Sequence, residues 1–236
     1  MIYTVHDVRE ALAECYYREE FVVDKTGVKT VELIGSSFVA TEPCIFGKIN
    51  EDYAEREIQW YESQSLYVRD IPGKTPAIWE QVASKDGKIN SNYGYLIYSY
   101  DNYQQYANVR AELEKNPNSR RAVMIYNRPS MHFDYNRDGM SDFICTNTHT
   151  YHIRDGKLHV TVNMRSNDVV FGYNNDLHWA EHVLKKLARD LRVEPGNIHW
   201  QVASLNVYER HFHLLHHYLE TGEKYISLED YNQKYA

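Results

Sequence analysis

Asp155-Gly156 separates two runs rich in apolar and β-branched residues, Phe143 to His152 and Lys157 to Met164. An Asp-Gly pair between such runs is a strong short-range hairpin signal, because both turn residues must accept a positive φ. Part of this chain is therefore expected to be antiparallel sheet. Just downstream, Leu177, Ala180, Leu184, Leu187 and Leu191 recur at helical spacing, and Pro195-Gly196 reads as the stop beyond them. Asn50 to Ser63 predicts another helix, with Ala54, Glu57, Ile58 and Tyr61 on one stripe, so that a carboxylate interrupts an otherwise apolar face. Arg120 to Tyr126 and Ile198 to Leu205 read as strands, and Tyr208 to Thr221 as a helix with Gly222 as its C-cap. Strands and helices mix without regular βαβ alternation, which predicts an α+β fold rather than a doubly wound sheet. No repeat and no Pro/Gly/Ser-rich linker divides the 236 residues, so a single domain over 1–236 is expected.

Composition narrows the class of function. Charged residues make up 25% and hydrophobic residues 43%, an ordinary globular balance. The net charge of −7 makes a nucleic-acid polymer a poor main partner. No apolar run is long enough to span a bilayer, and the N-terminal MIYTVHDVREAL lacks a signal-peptide core. Cys15, Cys44 and Cys145 form an odd, scattered set, which points to a reducing compartment and a cytoplasmic protein. Tyrosine is in excess at 21 residues, and it suits a site that holds a planar polar ligand.

Three metal-like motifs fall short. Asp134, Asn136, Asp138 and Gly139 begin like a calcium loop, but its twelfth position is Cys145 and no second helix follows, so a polar turn is expected. His178 to His182 matches H-x-x-E-H, yet His178, His182, Lys185 and Arg189 share the face opposite the leucines, where solvent is expected. His211, His213, His216 and His217 crowd one helix and cannot all face one ion, so a packing role is expected and no metal is assigned.

Four pieces point to one family. Asn116 to Arg121 ends in adjacent arginines, Cys145 follows Met-Ser-Asp-Phe-Ile, Arg165 to Gly172 reads RSNDVVFG, and Tyr208 closes a strand-to-helix junction. In order and spacing these pieces resemble the thymidylate synthase family from about Val23 to Tyr208. The strings VVDKTGVKT (Val22 to Thr30), INSNYG (Ile89 to Gly94) and DYNRDGMSDFICTNT (Asp134 to Thr148) are nearer still to members of that family that hydroxymethylate deoxycytidylate, enzymes of bacteriophages. The resemblance implies a mixed sheet packed with helices, a homodimer across the sheet, and one-carbon transfer from methylenetetrahydrofolate to carbon 5 of dCMP, in the host cytoplasm if the chain is phage-encoded.

Roles follow residue by residue from the resemblance. Cys145 is the nucleophile that adds to carbon 6; a buried structural cysteine is the commoner fate of a lone thiol, and position in the motif overrides it. A guanidinium near it favours the thiolate. Arg165 and Ser166 bind the phosphate from the same subunit, Arg120 and Arg121 from the partner. Lys25 stands where the family usually has arginine and offers a point charge instead of a fork. Glu57 is the general acid/base; its place on the apolar stripe suits that role, although a surface carboxylate at the stripe's edge fits the periodicity equally well. Asp176 occupies the place of an asparagine in thymidylate synthases. A carboxylate there accepts from the exocyclic amine of cytosine, although a helix N-cap before Leu177 accounts for the same residue. Trp79 and Asp168 match folate-binding positions, Tyr93 a pyrimidine-pocket position and Tyr208 a sugar contact; Asn206 replaces a family histidine. A thymidylate synthase acting on dUMP is disfavoured by Asp176, and an idle nucleotide- or RNA-binding member by the joint presence of Cys145, Glu57 and the arginines.

Overall fold

The computed structural model describes residues 3–24 and 27–235. Lys25 therefore lies outside the described residues. Strands β1 (Phe21–Val23), β2 (Lys29–Val39), β3 (Val123–Ile125), β4 (Thr146–Arg154), β5 (Lys157–Met164), β6 (Asn167–Asp168) and β7 (Glu194–Tyr208) form one sheet, with the order β1-β2-β7-β5-β4-β3 and β6 beside β7. The β1–β2, β2–β7 and β3–β4 pairs are antiparallel, and β6–β7 is parallel, so the sheet is mixed. Nine α-helices are found among the described residues: α1 (Val5–Tyr17), α2 (Glu51–Ser63), α3 (Ala77–Val82), α4 (Tyr93–Tyr98), α5 (Gln105–Lys115), α6 (Met131–Asp134), α7 (Gly172–Leu191), α8 (Phe212–Thr221) and α9 (Leu228–Tyr235).

The chain divides into two compact units. The first comprises Met1–Ile49, Met164–His178 and Ile198–Ala236. Here Thr4 caps α1 in a reciprocal capping box with Asp7, and Val5, Val8, Leu12 and Ala13 line its buried stripe. Arg9 on that stripe is buried but satisfied: its Nε donates to Ile45 O at 2.7 Å and its Nη2 to Glu42 at 2.9 Å. A buried guanidinium without such partners would be strongly destabilising. Phe38, Tyr173 and Trp200 pack around one another as a core, with Tyr173–Trp200 edge to face at 5.4 Å.

The second unit comprises Asn50–Asn163 and Trp179–Asn197. Asn50 caps α2 through Tyr53 N, as the predicted helix start requires. Trp60, Tyr61, Tyr93, Tyr126 and Trp179 form a continuous aromatic cluster in which Tyr61 stacks on Tyr93 at 5.3 Å. Gly94 permits this packing: a Cβ there would lie 1.8 Å from the Tyr61 carbonyl oxygen, closer than any side chain allows. The Asp155-Gly156 turn has both φ values positive, 51° and 72°, and joins β4 to β5 as predicted.

Local corrections have local causes. α7 ends at Leu191, with Arg192 in the left-handed region (φ 58°), and Pro195-Gly196 lies beyond it as expected, but inside β7 rather than in a turn. Gly196 is needed there because a Cβ would sit 2.7 Å from His159 Nδ1. The last predicted helix begins at Phe212 rather than Tyr208, because Glu209–His211 form a 3-10 turn, while Gly222 caps it as expected (φ 76°). The Asp134 carboxylate is held by Arg128 at 3.0 Å and Arg137 at 2.7 Å, with Asp138 and Gly139 both at positive φ, consistent with a polar turn. His182 is not on a purely solvated face: it hydrogen-bonds Glu62 at 2.8 Å, which also pairs with Lys186. Of the crowded histidines, His211 and His217 are buried, the latter between Tyr235 and Glu223.

Candidate active site

The candidate residues fall into two groups, one in each unit. In the second unit, α2 places Glu57 on its buried stripe, where the residue is only 5% exposed. Tyr53, one turn earlier, donates its hydroxyl to Glu57 Oε1 at 2.5 Å and accepts from Trp79 Nε1 at 2.7 Å. Trp79 comes from α3, so a residue distant in sequence completes the chain Trp79–Tyr53–Glu57. Burial pushes the Glu57 carboxyl up to about 7, while the Tyr53 and Trp79 hydrogen bonds pull it down. A carboxyl balanced near neutrality can both give and take a proton, as a general acid/base must.

Cys145 is half-buried at the entrance to β4, with its thiol directed to Phe143 O at 3.8 Å. The loop ahead of it is anchored by the buried Asp142. That carboxylate accepts from Asn90 N (2.7 Å), Ser91 N (2.8 Å) and Ser91 Oγ (2.7 Å). Next to Cys145, Thr146 is buried and its Oγ1 donates to Tyr93 Oη at 3.0 Å, which ties the candidate pyrimidine-pocket tyrosine to the strand that starts just after the thiol. Arg120 and Arg121 are exposed on the turn before β3. Arg121 Nη2 pairs with Glu112 at 3.2 Å, and Ser119 braces the turn by accepting from Arg121 N and donating to Glu112.

In the first unit, Arg165 and Ser166 occupy the bend between β5 and β6. Ser166 Oγ accepts from Asn206 Nδ2 at 3.3 Å, and the β6–β7 register sets Asp168 beside Asn206. Asp168 accepts from Val170 N at 2.8 Å and pairs with Arg210 at 3.1 Å; burial raises its carboxyl above the usual carboxylate range. Arg210 in turn lies over the Tyr208 ring at 4.5 Å. Asp176 lies inside α7, which begins at Gly172, so the N-cap explanation for it fails. Its Oδ2 accepts instead from Asn167 Nδ2 at 2.8 Å.

Tyr53, Asp142, Thr146 and Asn167 were not singled out from the sequence. Tyr53 alone left a signal, its i−4 spacing from Glu57. The other three act across 9 to 53 positions of sequence, beyond the reach of any local pattern.

The thymidylate synthase family model matches residues 9–230. The chain is 58% identical over 240 aligned residues to deoxycytidylate 5-hydroxymethyltransferase of Enterobacteria phage T4, covering 99% of this chain and 98% of that protein. The same enzyme of Enterobacteria phage T6 is 57% identical, covering 97% and 96%. Thymidylate synthase of Rhizorhabdus wittichii is 25% identical over 91% of this chain and 84% of its own. In fold, the crystal structure of thymidylate synthase from T4 phage superposes with a TM-score of 0.71 at 19% identity, over 86% of this chain and 77% of that one. With the family matched along almost the whole chain and close relatives aligned end to end, this protein belongs to the thymidylate synthase family.

Proposed function

We propose that this protein is a deoxycytidylate 5-hydroxymethyltransferase, acting as one catalytic domain over residues 1–236. The observation that carries the reading is 58% identity to the T4 phage enzyme of that name over nearly the full length of both chains. Cys145 and Glu57, and an aspartate at position 176, support it residue by residue. The reaction needs a nucleophile because carbon 5 of cytosine is not reactive enough unaided. Addition of the Cys145 thiolate to carbon 6 makes carbon 5 nucleophilic, and thiolate is a good leaving group when the ring is restored. Glu57 moves protons to and from the ring and orients the water whose oxygen becomes the hydroxyl. Asp176 accepts from the exocyclic amine and stabilises a proton on the adjacent ring nitrogen. Arg165 and Ser166 hold the phosphate, with Lys25 as a further point charge; Tyr208 and Asn206 face the sugar, and Tyr93 the pyrimidine.

Methylenetetrahydrofolate supplies the one-carbon unit. Taken singly, the residues have suitable chemistry: Trp79 is a half-buried indole held by Tyr53, and Asp168, though engaged by Val170 and Arg210, retains acceptor capacity for an N–H edge. The reading gives a defined product test. Incubation with dCMP and methylenetetrahydrofolate is expected to yield 5-hydroxymethyl-dCMP by mass, with the folate released as tetrahydrofolate and no dihydrofolate absorbance. Stoichiometric dihydrofolate with a methylated nucleotide would overturn it in favour of a thymidylate synthase-type ending.

The same reading makes the enzyme a homodimer in which Arg120 and Arg121 reach the partner's phosphate. Their exposure on a braced turn supports this role. Mixing a Cys145→Ala protein with an Arg120→Ala/Arg121→Ala protein is expected to restore activity, up to about a quarter of wild type per subunit pair if exchange is random. Exchange confirmed by mass with no recovered activity would refute the shared site. No helix of the described residues is long and apolar enough to cross a membrane.

A further inference from the structure

Asn167 is 2% exposed, and three neighbours define its environment. Its backbone is locked in β6, paired with Leu205 of β7. Its Nδ2 donates to Asp176 Oδ2 at 2.8 Å. Gly172, the first residue of α7, lies so close that a Cβ there would sit 3.0 Å from Asn167 Nδ2 and 3.7 Å from Asp176 Oδ2. The helix carrying Asp176 is thus seated directly on the asparagine amide. Asn167 Oδ1 is buried without a hydrogen-bond partner among the described residues. The opposite amide orientation would set an oxygen against a carboxylate oxygen, so the carboxylate defines which way the amide points. We infer that Asn167 is a positioning residue for base selection: its amide fixes the plane of the Asp176 carboxylate, so that the group meets the cytosine edge already oriented. The inference rests on the proposed action on deoxycytidylate. It extends the recognition element from one residue to an Asn167–Asp176 pair, made possible by glycine at 172.

A preorganised acceptor strengthens recognition because no rotamer has to be frozen on binding. Preorganisation makes the role measurable through Asp176 rather than through stability. Tritium release from carbon 5 of dCMP and of dUMP would be followed for the wild type, Asn167→Ala, Asp176→Asn and the double variant. Asn167→Ala is expected to lower kcat/KM for dCMP about tenfold, the scale of one hydrogen bond to a charged group, and to erode the dCMP:dUMP ratio. In the Asp176→Asn background the same change should cost about twofold at most, because the charged partner is already gone. Asn167→Asp, nearly isosteric but facing carboxylate with carboxylate, should lose more than Asn167→Ala. Asn167→Ser, which keeps a hydroxyl donor, should lose less, and it serves as the test variant if the alanine protein melts below assay temperature. Equal losses in both backgrounds, or an Asn167→Asp enzyme with wild-type selectivity, would overturn the inference. A wild type that prefers dUMP would instead overturn the deoxycytidylate reading, while the coupling between positions 167 and 176 would still be read from the same cycle on dUMP.

Discussion

Replacing Cys145 by alanine is expected to reduce turnover of dCMP by a factor on the order of 10⁴ or more, the scale seen when a covalent nucleophile is removed. Without addition at carbon 6 there is no route to a nucleophilic carbon 5, so the loss should fall on kcat while dCMP binding persists. Nucleotide binding by calorimetry should therefore change little, whereas tritium release should vanish. The chain carries its own controls. Cys44 is buried and Cys15 has its thiol pushed up by burial, so neither is a competing nucleophile. A nucleotide-dependent covalent adduct should accordingly map by mass to the peptide containing Cys145 alone. Turnover surviving in Cys145→Ala, or an adduct on Cys15 or Cys44, would remove Cys145 from the role.

Glu57→Gln is expected to lower kcat by about 10² to 10⁴, the usual range for loss of a positioned acid/base, while making the protein more stable at alkaline pH. The two effects share a cause. Burial raises the carboxyl from 4.5 to about 7 in the folded state, so between those values the folded protein holds a proton that the unfolded chain has released. Stability attributable to Glu57 falls as pH rises through that window, and above it the buried charge costs roughly 3 kcal/mol. The glutamine variant carries no such charge. Its melting temperature should exceed that of the wild type by several degrees at pH 8, with the gap closing toward pH 5, at ~2–4 °C per kcal/mol for a chain of this size. A gap independent of pH would show that Glu57 does not titrate in this window. The hydrogen bond from Tyr53 has an acceptor in either side chain, so the Trp79–Tyr53 contact should survive in the variant.

Glu57 also shows how far the sequence reaches. A carboxylate among Ala54, Ile58 and Tyr61 on one helical stripe is visible from spacing alone, because burial of a helix face is written in a 3.6-residue period. The β4–β5 hairpin was legible for a similar reason, since Asp155-Gly156 dictates its own backbone. Helix α1 and the long strand β2 were not identified. The buried stripe of α1 carries Arg9, whose charge disguises the period until Glu42 and Ile45 satisfy it. Cys145, Arg165 and Asp176 were assignable only through their likeness to a family, because nothing in a lone thiol, arginine or aspartate distinguishes a reacting group from a packed one.

By itself, then, the sequence determined the α+β class, the hairpin, helices α2 and α7 in outline, and a family whose chemistry needs a thiol and a buried carboxyl. Only the tertiary structure decided how those groups are held. Trp79 reaches Glu57 through Tyr53, Asp142 anchors the loop before Cys145, and Asn167 orients Asp176 because Gly172 lets α7 come close. Periodicity reports which face of an element is buried, since burial depends on local geometry repeated along the chain. Which polar atoms meet on that face depends on how elements pack, and contacts between residues tens of positions apart leave no local pattern to read.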